Sequence, residues 1–352
     1  MKKYLFITIT LLLFSLSSFS RVFRVGYNGT PLKGVDFTSI TEANDSAKVG
    51  DTIQIYGFQS GSINKRLVIL GFGYKFNDHP GLQSNPGIAT NEINNPSYAS
   101  IYFDPGSDSS IIEGCQISTY IASNKVIIRR CYAGQVYLRD DLVSIQDFKM
   151  YSCYGMSISD YSRVGGGQHK FASKNIQIFN CAGGQLTLNS SESQSSGVLI
   201  NCNDFYPYAN DKPKILMKNC ILNVGGSLQQ FTSGNNNTIY DNNIFVYPEP
   251  TPTLPGSNNK YSQLNDSIFI PNPNPGISDE NQYQLRPNSP AKDFGIDLSG
   301  KPTDCGIFGG ELAYRYKIGG QPAIPAFYKL SAPTNSASSN PYNITVSVRS
   351  NN

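Results

Sequence analysis

The chain has 352 residues, of which 15% are charged, and its formal net charge is +3. No basic arm and no strongly charged segment is present, which argues against an electrostatic surface for nucleic acid. Glycine, asparagine, serine and tyrosine are abundant and tryptophan is absent, a composition typical of many short strands joined by turns.

Residues 1–20 have the pattern of a secretory signal peptide. Lys2 and Lys3 precede the apolar stretch "YLFITITLLLF", and Ser18 and Ser20 supply small side chains before a cut. The apolar stretch is too short to span a bilayer, and no later segment is apolar enough to do so. We therefore expect a bacterial protein that is exported, begins at Arg21 after processing, and is secreted or held at the cell surface without crossing the membrane.

A short helix is predicted over about residues 38–49. Ser39 and Glu42 have the spacing of a capping box, and Gly50 fits a helix stop. The segment "DTIQIY" that follows alternates as a strand does. A helix here would cover the open end of a stack of strands and shield its unpaired edge.

A repeated setting, an apolar run followed by one or two polar residues and a cysteine, covers the middle of the chain. The six cysteines are separated by 16 to 28 residues, and in a seventh unit, "TIYDNNIF", Asn243 takes the place of the cysteine. Such short strands can bury their apolar side chains only by stacking unit on unit, which predicts a parallel β-helix with two or three strands per turn. The column consists of Cys115, Cys131, Cys153, Cys181, Cys202 and Cys220.

These cysteines are predicted to be structural. Equivalent side chains of successive coils stack about 4.8 Å apart and point in parallel, which strains a disulfide. A small thiol instead fills a tight inner corner well. The sequence therefore predicts a buried, mostly reduced column, with Cys305 outside it and Asn243 bonded to the backbone of a neighbouring coil.

After residue 247 the character of the chain changes. Residues 248–260 contain four prolines and are predicted to form an extended linker outside the strand ladder. A closing segment follows up to residue 311, and residues 312–352 are expected to form an extended tail with a last strand at "YNITVSV".

Two segments carry a family resemblance. The opening, with "FTSITEANDSAKVGDTIQIY", and the closing segment "YQLRPNSPAKDFGIDLSGKPTDCGIFGGE" (283–311) resemble those of pectate-lyase-like proteins. The tail from Tyr314 resembles that of secreted Bacteroidetes proteins. The resemblance implies an all-β fold: a single-stranded right-handed parallel β-helix over residues 21–311, with a short N-terminal capping helix and an irregular C-terminal tail. It says little about function, because β-helices host many activities.

The enzymes of this fold that were considered are pectate lyases and polygalacturonases. The sequence lacks N-T-D, G-H-G and R-I-K, and also W-x-D-H and R-x-P-x-x-R. One constellation remains open: carboxylates near residues 139–147 could hold Ca²⁺ beside a basic residue. Its carboxylates are Asp140, Asp141 and Asp147, with Asp140 and Asp141 as the metal ligands, and its candidate bases are Arg139, Lys149 and Lys170. The alternative is that Asp140 and Asp141 form an exposed turn.

Ligand-binding candidates are Tyr137, Tyr161 and His169. Exposed tyrosines stack on sugar rings and donate hydrogen bonds, although tyrosine also packs well on β surfaces. His169 follows the glycine-rich "SRVGGGQ", which fits a backbone approach to a ligand or simply a flexible surface loop.

Three hypotheses follow for function. The first is a secreted, non-catalytic protein, monomeric, that binds a polysaccharide or another cell-envelope component. The second is a polysaccharide lyase or glycoside hydrolase acting on a pectin-like or alginate-like acidic polysaccharide, with Ca²⁺ as the cofactor in the lyase case and no other cofactor. The third is a purely adhesive module of the cell envelope.

Overall fold

The computed structural model describes eleven stretches of the chain, and all structural statements below concern these stretches. They are residues 20–26, 35–75, 97–139, 144–160, 172–188, 195–209, 213–223, 237–271, 279–322, 325–331 and 344–350. Asp140, Asp141, Tyr161, His169 and Lys170 lie outside them. All but the last residue of the predicted signal peptide also lies outside them.

The chain folds into a right-handed parallel β-helix, as predicted. Two long sheets, in which every neighbouring pair of strands is parallel, run along the stack. Sheet A contains β1 (Val22–Val25), β2 (Thr52–Ile55), β4 (Val68–Leu70), β6 (Ile111–Glu113), β8 (Ile127–Arg129), β10 (Lys149–Tyr151), β12 (Ile176–Phe179), β14 (Ser196–Ile200), β16 (Lys214–Lys218), β18 (Thr238–Asp241) and β20 (Gly256–Ser257). Sheet B contains β3 (Gly57–Ile63), β5 (Ser97–Phe103), β7 (Gln116–Ile121), β9 (Tyr132–Leu138), β11 (Tyr154–Asp160), β13 (Ala182–Leu188), β15 (Asn203–Ala209), β17 (Ile221–Leu222) and β19 (Ile244–Phe245).

Each of the seven coils from β6 to β19 passes from sheet A to sheet B through two residues. The first has a left-handed backbone, with φ between 49° and 71°, and the second is a cysteine or, in the last coil, Asn243. Glycine and asparagine tolerate this conformation best, which explains why asparagine so often precedes the cysteine. These left-handed residues, here called the turn column, are Gly114, Arg130, Ser152, Asn180, Asn201, Asn219 and Asn242.

The cysteine column lies on the inner side of these turns. All seven cysteines of the chain, including Cys305, are unbridged and buried, as predicted. Cys220 Sγ lies 3.6 Å from the Leu199 carbonyl oxygen, and the Cys202 N–H points to Cys220 Sγ at 3.4 Å. Asn243 makes the same two contacts one coil later: its Oδ1 accepts from the Cys220 N–H at 2.9 Å, and its Nδ2 donates to the Met217 carbonyl at 3.0 Å. Thiol and amide are thus interchangeable links between coils.

One continuous apolar core fills the coil from the first strand to the proline-rich stretch. It forms because alternate residues of each strand point inward. In β7, for example, Ile117, Thr119 and Ile121 are buried, whereas Ser118 and Tyr120 between them are only partly buried. Ladders of isoleucine, leucine and valine, which suit a pleated surface, therefore line the interior.

Helix α1 (Ile40–Ser46) closes the N-terminal end of the stack and is shorter than the predicted 38–49. It begins as expected, because Ser39 Oγ accepts from the Glu42 N–H at 3.2 Å. It ends early because the Asp51 carboxylate accepts from the Lys48 N–H at 2.7 Å and starts a turn. Its buried face, which packs on β1 to β3, is formed by Ile40, Ala43 and Asn44.

The prediction that residues 248–260 lie outside the ladder is wrong for their last part. Gly256–Ser257 form β20 and pair in parallel with Tyr240–Asp241, and Lys260 bridges to Ile244. The reason is that the last proline of the stretch is Pro255, so the residues after it have N–H groups for the ladder. The Pro255 carbonyl itself accepts from the Tyr240 N–H at 2.8 Å.

Beyond the last coil, residues 291–322 form a segment that runs back along the turn column; we call it the strap. Asn201 Nδ2 donates to the Asp304 carbonyl at 2.9 Å, and Asn180 Nδ2 donates to the Ile307 carbonyl at 2.8 Å. Tyr316 is 4% exposed, so the boundary predicted after residue 311 does not coincide with an end of the packed segment.

The remaining elements are short. Helix α2 (Asn265–Ile268) and a 3₁₀ helix (Asp279–Tyr283) precede the strap. Within it lie the antiparallel pair β21 (Gly295–Ile296) and β22 (Pro302–Thr303), and a 3₁₀ turn (Ile318–Gly320). In the predicted tail, β23 (Pro325–Ser331) and β24 (Thr345–Ser350) form an antiparallel hairpin. Among the described residues, no helix combines the length and apolar character needed to cross a membrane.

Candidate functional site on the outer face of sheet B

The outer face of sheet B presents two rows of aligned side chains. Strand register places equivalent residues of successive coils side by side, and alternation along each strand turns every second residue outward. The first row, here the tyrosine row, contains Ser62, Tyr102, Tyr120, Tyr137, Ser159, Thr187 and Tyr208. The second, the hydroxyl row, contains Ser60, Ser100, Ser118, Gln135, Ser157, Gln185 and Tyr206.

Three consecutive members of the tyrosine row form a ring stack. The ring centroids of Tyr102 and Tyr120 lie 4.7 Å apart, and those of Tyr120 and Tyr137 lie 4.6 Å apart, with interplanar angles of 3° and 18°. These distances follow the spacing of the strands, about 4.8 Å. Because neighbouring rings cover one another's faces, the stack offers solvent its ring edges and phenol groups.

A β-bulge at the start of β9 sets the alignment of this stack. Gln116 pairs with Tyr132, yet Tyr120 pairs with Tyr137, so β9 contains one extra residue between these positions. The bulge includes Ala133, with φ 27°, and Gly134, at which a Cβ would lie 1.3 Å from the Ile117 carbonyl oxygen. Without the extra residue, Val136 would stand opposite Tyr120.

The chemistry of the two rows is uncharged. Their fourteen members are serine, threonine, glutamine and tyrosine only. Hydroxyl and amide groups both donate and accept hydrogen bonds, and aromatic rings add apolar contact. Such a surface matches a neutral polyhydroxylated ligand, whereas an acidic polysaccharide calls for lysine or arginine.

A carboxyl group marks the C-terminal end of this face. Asp204, on β15, accepts from the Asn223 N–H at 2.6 Å, from Tyr206 Oη at 3.3 Å and from Tyr283 Oη at 3.3 Å. Burial raises the pKa of Asp204 to about 6, against the opposing effect of these hydrogen bonds. Burial and the nearby Asp204 carboxylate also raise the pKa of Tyr206.

The described members of the predicted lyase constellation have other partners. Lys149 lies on the outer face of sheet A, with its Nζ 5.4 Å from the Tyr314 ring centroid and 5.8 Å from that of Phe179. Asp147 Oδ1 accepts from Asn175 Nδ2 at 2.6 Å in the turn before β10. Arg139 follows β9 of sheet B and is 8% exposed. Lys149 and Arg139 therefore belong to different sheets.

Of the predicted ligand-binding residues, only Tyr137 is described, and it lies in the tyrosine stack. The predicted Ca²⁺ ligands, Asp140 and Asp141, lie outside the described ranges. Within those ranges, no group of three or more His, Cys, Asp or Glu side chains is arranged to hold a metal ion.

Other tyrosines have packing roles. Tyr132 stacks on Tyr74 at 5.1 Å and on Tyr154 at 6.0 Å, and Lys75 Nζ lies 4.7 Å from the ring centroids of both Tyr132 and Tyr154. The Tyr74 hydroxyl bonds to that of Tyr316 in the strap at 2.9 Å. This cluster fixes the end of the strap to the coils.

Sequence reasoning missed Tyr102, Tyr120 and Asp204 as site residues. A signal for the first two exists: "IYF", "TYI" and "VYL" each place a tyrosine between two inward residues near the end of a strand. No local signal identifies Asp204, because its partners come from distant parts of the chain.

No protein-family model matches this chain, and no curated protein is similar to it. The class that can be stated is therefore that of the fold, a parallel β-helix with a strap over its turn column.

Proposed function

We propose that this is an exported, non-catalytic β-helix protein that binds a neutral polysaccharide of a cell surface along the outer face of sheet B. The observation that carries the proposal is the stack of Tyr102, Tyr120 and Tyr137, at strand spacing, beside a row of hydroxyl and amide side chains. Successive phenol groups in such a stack repeat about every 4.8 Å. This repeat suits an extended sugar chain lying along the axis of the coil.

Two further features belong to the proposal. Membership of the pectate-lyase-like superfamily is supported by the helix-capped first coil and the parallel sheets, together with the sequence resemblance. Export is supported by the basic and apolar pattern of residues 1–20. N-terminal sequencing of protein recovered outside the cytoplasm should then begin at Arg21.

Affinity electrophoresis through gels containing galactomannan, xyloglucan or mixed-linkage β-glucan tests the binding. Polygalacturonate and alginate serve as acidic comparators. We expect retardation by at least one neutral polysaccharide, and weaker retardation of the Tyr120→Phe variant. The phenol groups face solvent in the stack, so removing one should weaken binding while the rings remain stacked.

Ile239→Ala provides a matched surface control. Ile239 is 48% exposed on sheet A, away from the two rows, so its truncation should leave retardation unchanged. Absence of binding to every neutral polysaccharide would contradict the proposal. Release of unsaturated uronides from polygalacturonate or alginate would instead favour the lyase alternative.

A further inference from the structure

The C-terminal end of the sheet B face differs from the rest because a carboxylate and an exposed ring lie together there. Asp204 and Tyr206 are joined by a hydrogen bond of 3.3 Å. Tyr208 lies two residues further along the same strand, so its side chain points to the same side of the sheet as that of Tyr206. Tyr208 is 49% exposed, which leaves much of its ring open to a ligand.

The neighbouring strand completes the site. Gln185 lies beside Tyr206 and Thr187 lies beside Tyr208 in the register of β13 and β15. The amide and hydroxyl groups of these two side chains can donate and accept hydrogen bonds. The site therefore combines an aromatic surface, a carboxylate and two uncharged polar groups within two strands.

We propose that Asp204, Tyr206 and Tyr208 form an anchoring subsite for one neutral sugar ring with two adjacent free hydroxyl groups. This proposal rests on the proposed function and adds to it a particular site and a ligand chemistry. The Tyr208 ring packs against the apolar face of the sugar, and the Asp204 carboxylate accepts from its hydroxyl groups. A carboxylate has about four acceptor positions, and three donors occupy positions on Asp204, so one is left.

The subsite should respond to pH. The titratable groups that face Asp204 are Tyr206, on its own strand, and Tyr283, in the 3₁₀ helix before the strap, while Tyr247 faces Tyr206. Phenols stay protonated below about pH 9, so Asp204 alone of these groups titrates between pH 5 and 8. With the Asp204 pKa at about 6, the carboxylate that accepts from the sugar is formed as pH rises through 6.

The test measures affinity of the full chain for the neutral polysaccharide that gives the strongest retardation, at pH 5.0 and pH 7.5. We expect wild-type affinity to be roughly fivefold higher at pH 7.5, because ionised acceptors make the stronger hydrogen bonds. Asp204→Asn keeps the size and the left-handed backbone but loses the charge, so its affinity should be low and equal at both pH values. Tyr208→Ala should bind about five- to tenfold more weakly at both pH values.

The outcomes separate the two proposals. If the wild type binds but neither Asp204→Asn nor Tyr208→Ala changes affinity or its pH dependence, the subsite is wrong and the wider face remains. If the wild type binds none of the neutral polysaccharides, both proposals fall. Because Tyr208 is half exposed, Tyr208→Ala keeps the test decisive even if Asp204→Asn does not fold.

Discussion

The residue before each cysteine has a left-handed backbone, and this conformation determines which side chains occupy the turn. Glycine and asparagine hold the position in five of the seven coils, at Gly114, Asn180, Asn201, Asn219 and Asn242. Arg130 and Ser152 take the strained conformation because their side chains bond to the strap: Arg130 donates to the Gln321 carbonyl at 3.0 Å, and Ser152 Oγ accepts from the Lys317 N–H at 2.8 Å.

The cysteines next to these residues are expected to be inert thiols. Desolvation raises the pKa of Cys115, Cys131 and Cys153, so the reactive thiolate is disfavoured as well as inaccessible. In the native protein, a thiol reagent should therefore label none of the seven cysteines. In denaturant without reductant it should label all seven. A count lower by four to six in denaturant would reveal two or three bridges and contradict the reduced column.

Asp204 should make stability depend on pH. Its pKa in the folded state, about 6, is raised above its ordinary value of 3.8. The group therefore favours the folded state fully below about pH 4, and this contribution is lost as pH rises through 6. The free energy of unfolding of Asp204→Asn relative to wild type should rise by about 2–3 kcal/mol between pH 4 and pH 8.

Denaturant unfolding at the two pH values measures this difference. Asp297 offers a control of opposite sign, because hydrogen bonds from Lys301 and Ser299 lower the pKa of that exposed carboxyl. An equal effect of Asp204→Asn at pH 4 and pH 8 would show that Asp204 has an ordinary pKa.

Among the elements, β9 determines whether the tyrosine stack forms. A Cβ at Gly134 would overlap the Ile117 carbonyl oxygen, so Gly134→Ala must move the bulge or break the pairing with β7. We expect a loss of about 3 kcal/mol or more in the free energy of unfolding. Sugar binding should also weaken, because Tyr137 would lose its place beside Tyr120.

Gly197→Ala, in β14, is the matched control. There the nearest atoms to an added Cβ are Leu186 Cδ2 at 3.2 Å and the Ile176 carbonyl oxygen at 3.3 Å, and small shifts relieve these contacts. Its cost should stay below about 1 kcal/mol. Similar costs for the two variants would indicate that the bulge adapts without loss.

For the whole molecule, the strap is expected to stabilise the later coils. Asn201 Nδ2 donates to the carbonyl oxygens of Asp304 and Gly306, at 2.9 and 3.3 Å. Asn201→Gly removes these bonds but keeps the positive φ, so the variant isolates the contribution of the side chain. We expect a loss of about 1–3 kcal/mol and faster amide hydrogen exchange in residues 303–310.

Asn258→Gly is the control, since Asn258 has the same backbone conformation, φ 54°, at an exposed position before the strap begins. It should leave exchange in the strap unchanged. Unchanged exchange in Asn201→Gly as well would mean that apolar packing, such as that of Tyr316, holds the strap by itself.

The sequence by itself determined the solenoid, its capping helix and the buried cysteine column. All three follow from local patterns: alternation with a period of two, a capping signal at Ser39, and a repeated turn that requires a left-handed residue before each cysteine. The length of α1 and the end of the proline-rich stretch were predicted less well, because the Asp51 carboxylate and the ladder of β18 decide them.

Only the tertiary structure decided which outward side chains meet. The tyrosine row depends on a bulge that shifts the register by one residue, and a single shift exchanges inward for outward side chains. Asp204 gains its raised pKa from burial beside Tyr283, 79 residues away, and the strap contacts asparagines more than 100 residues before it. Such contacts depend on how coils and strap pack, and no local pattern encodes that distance.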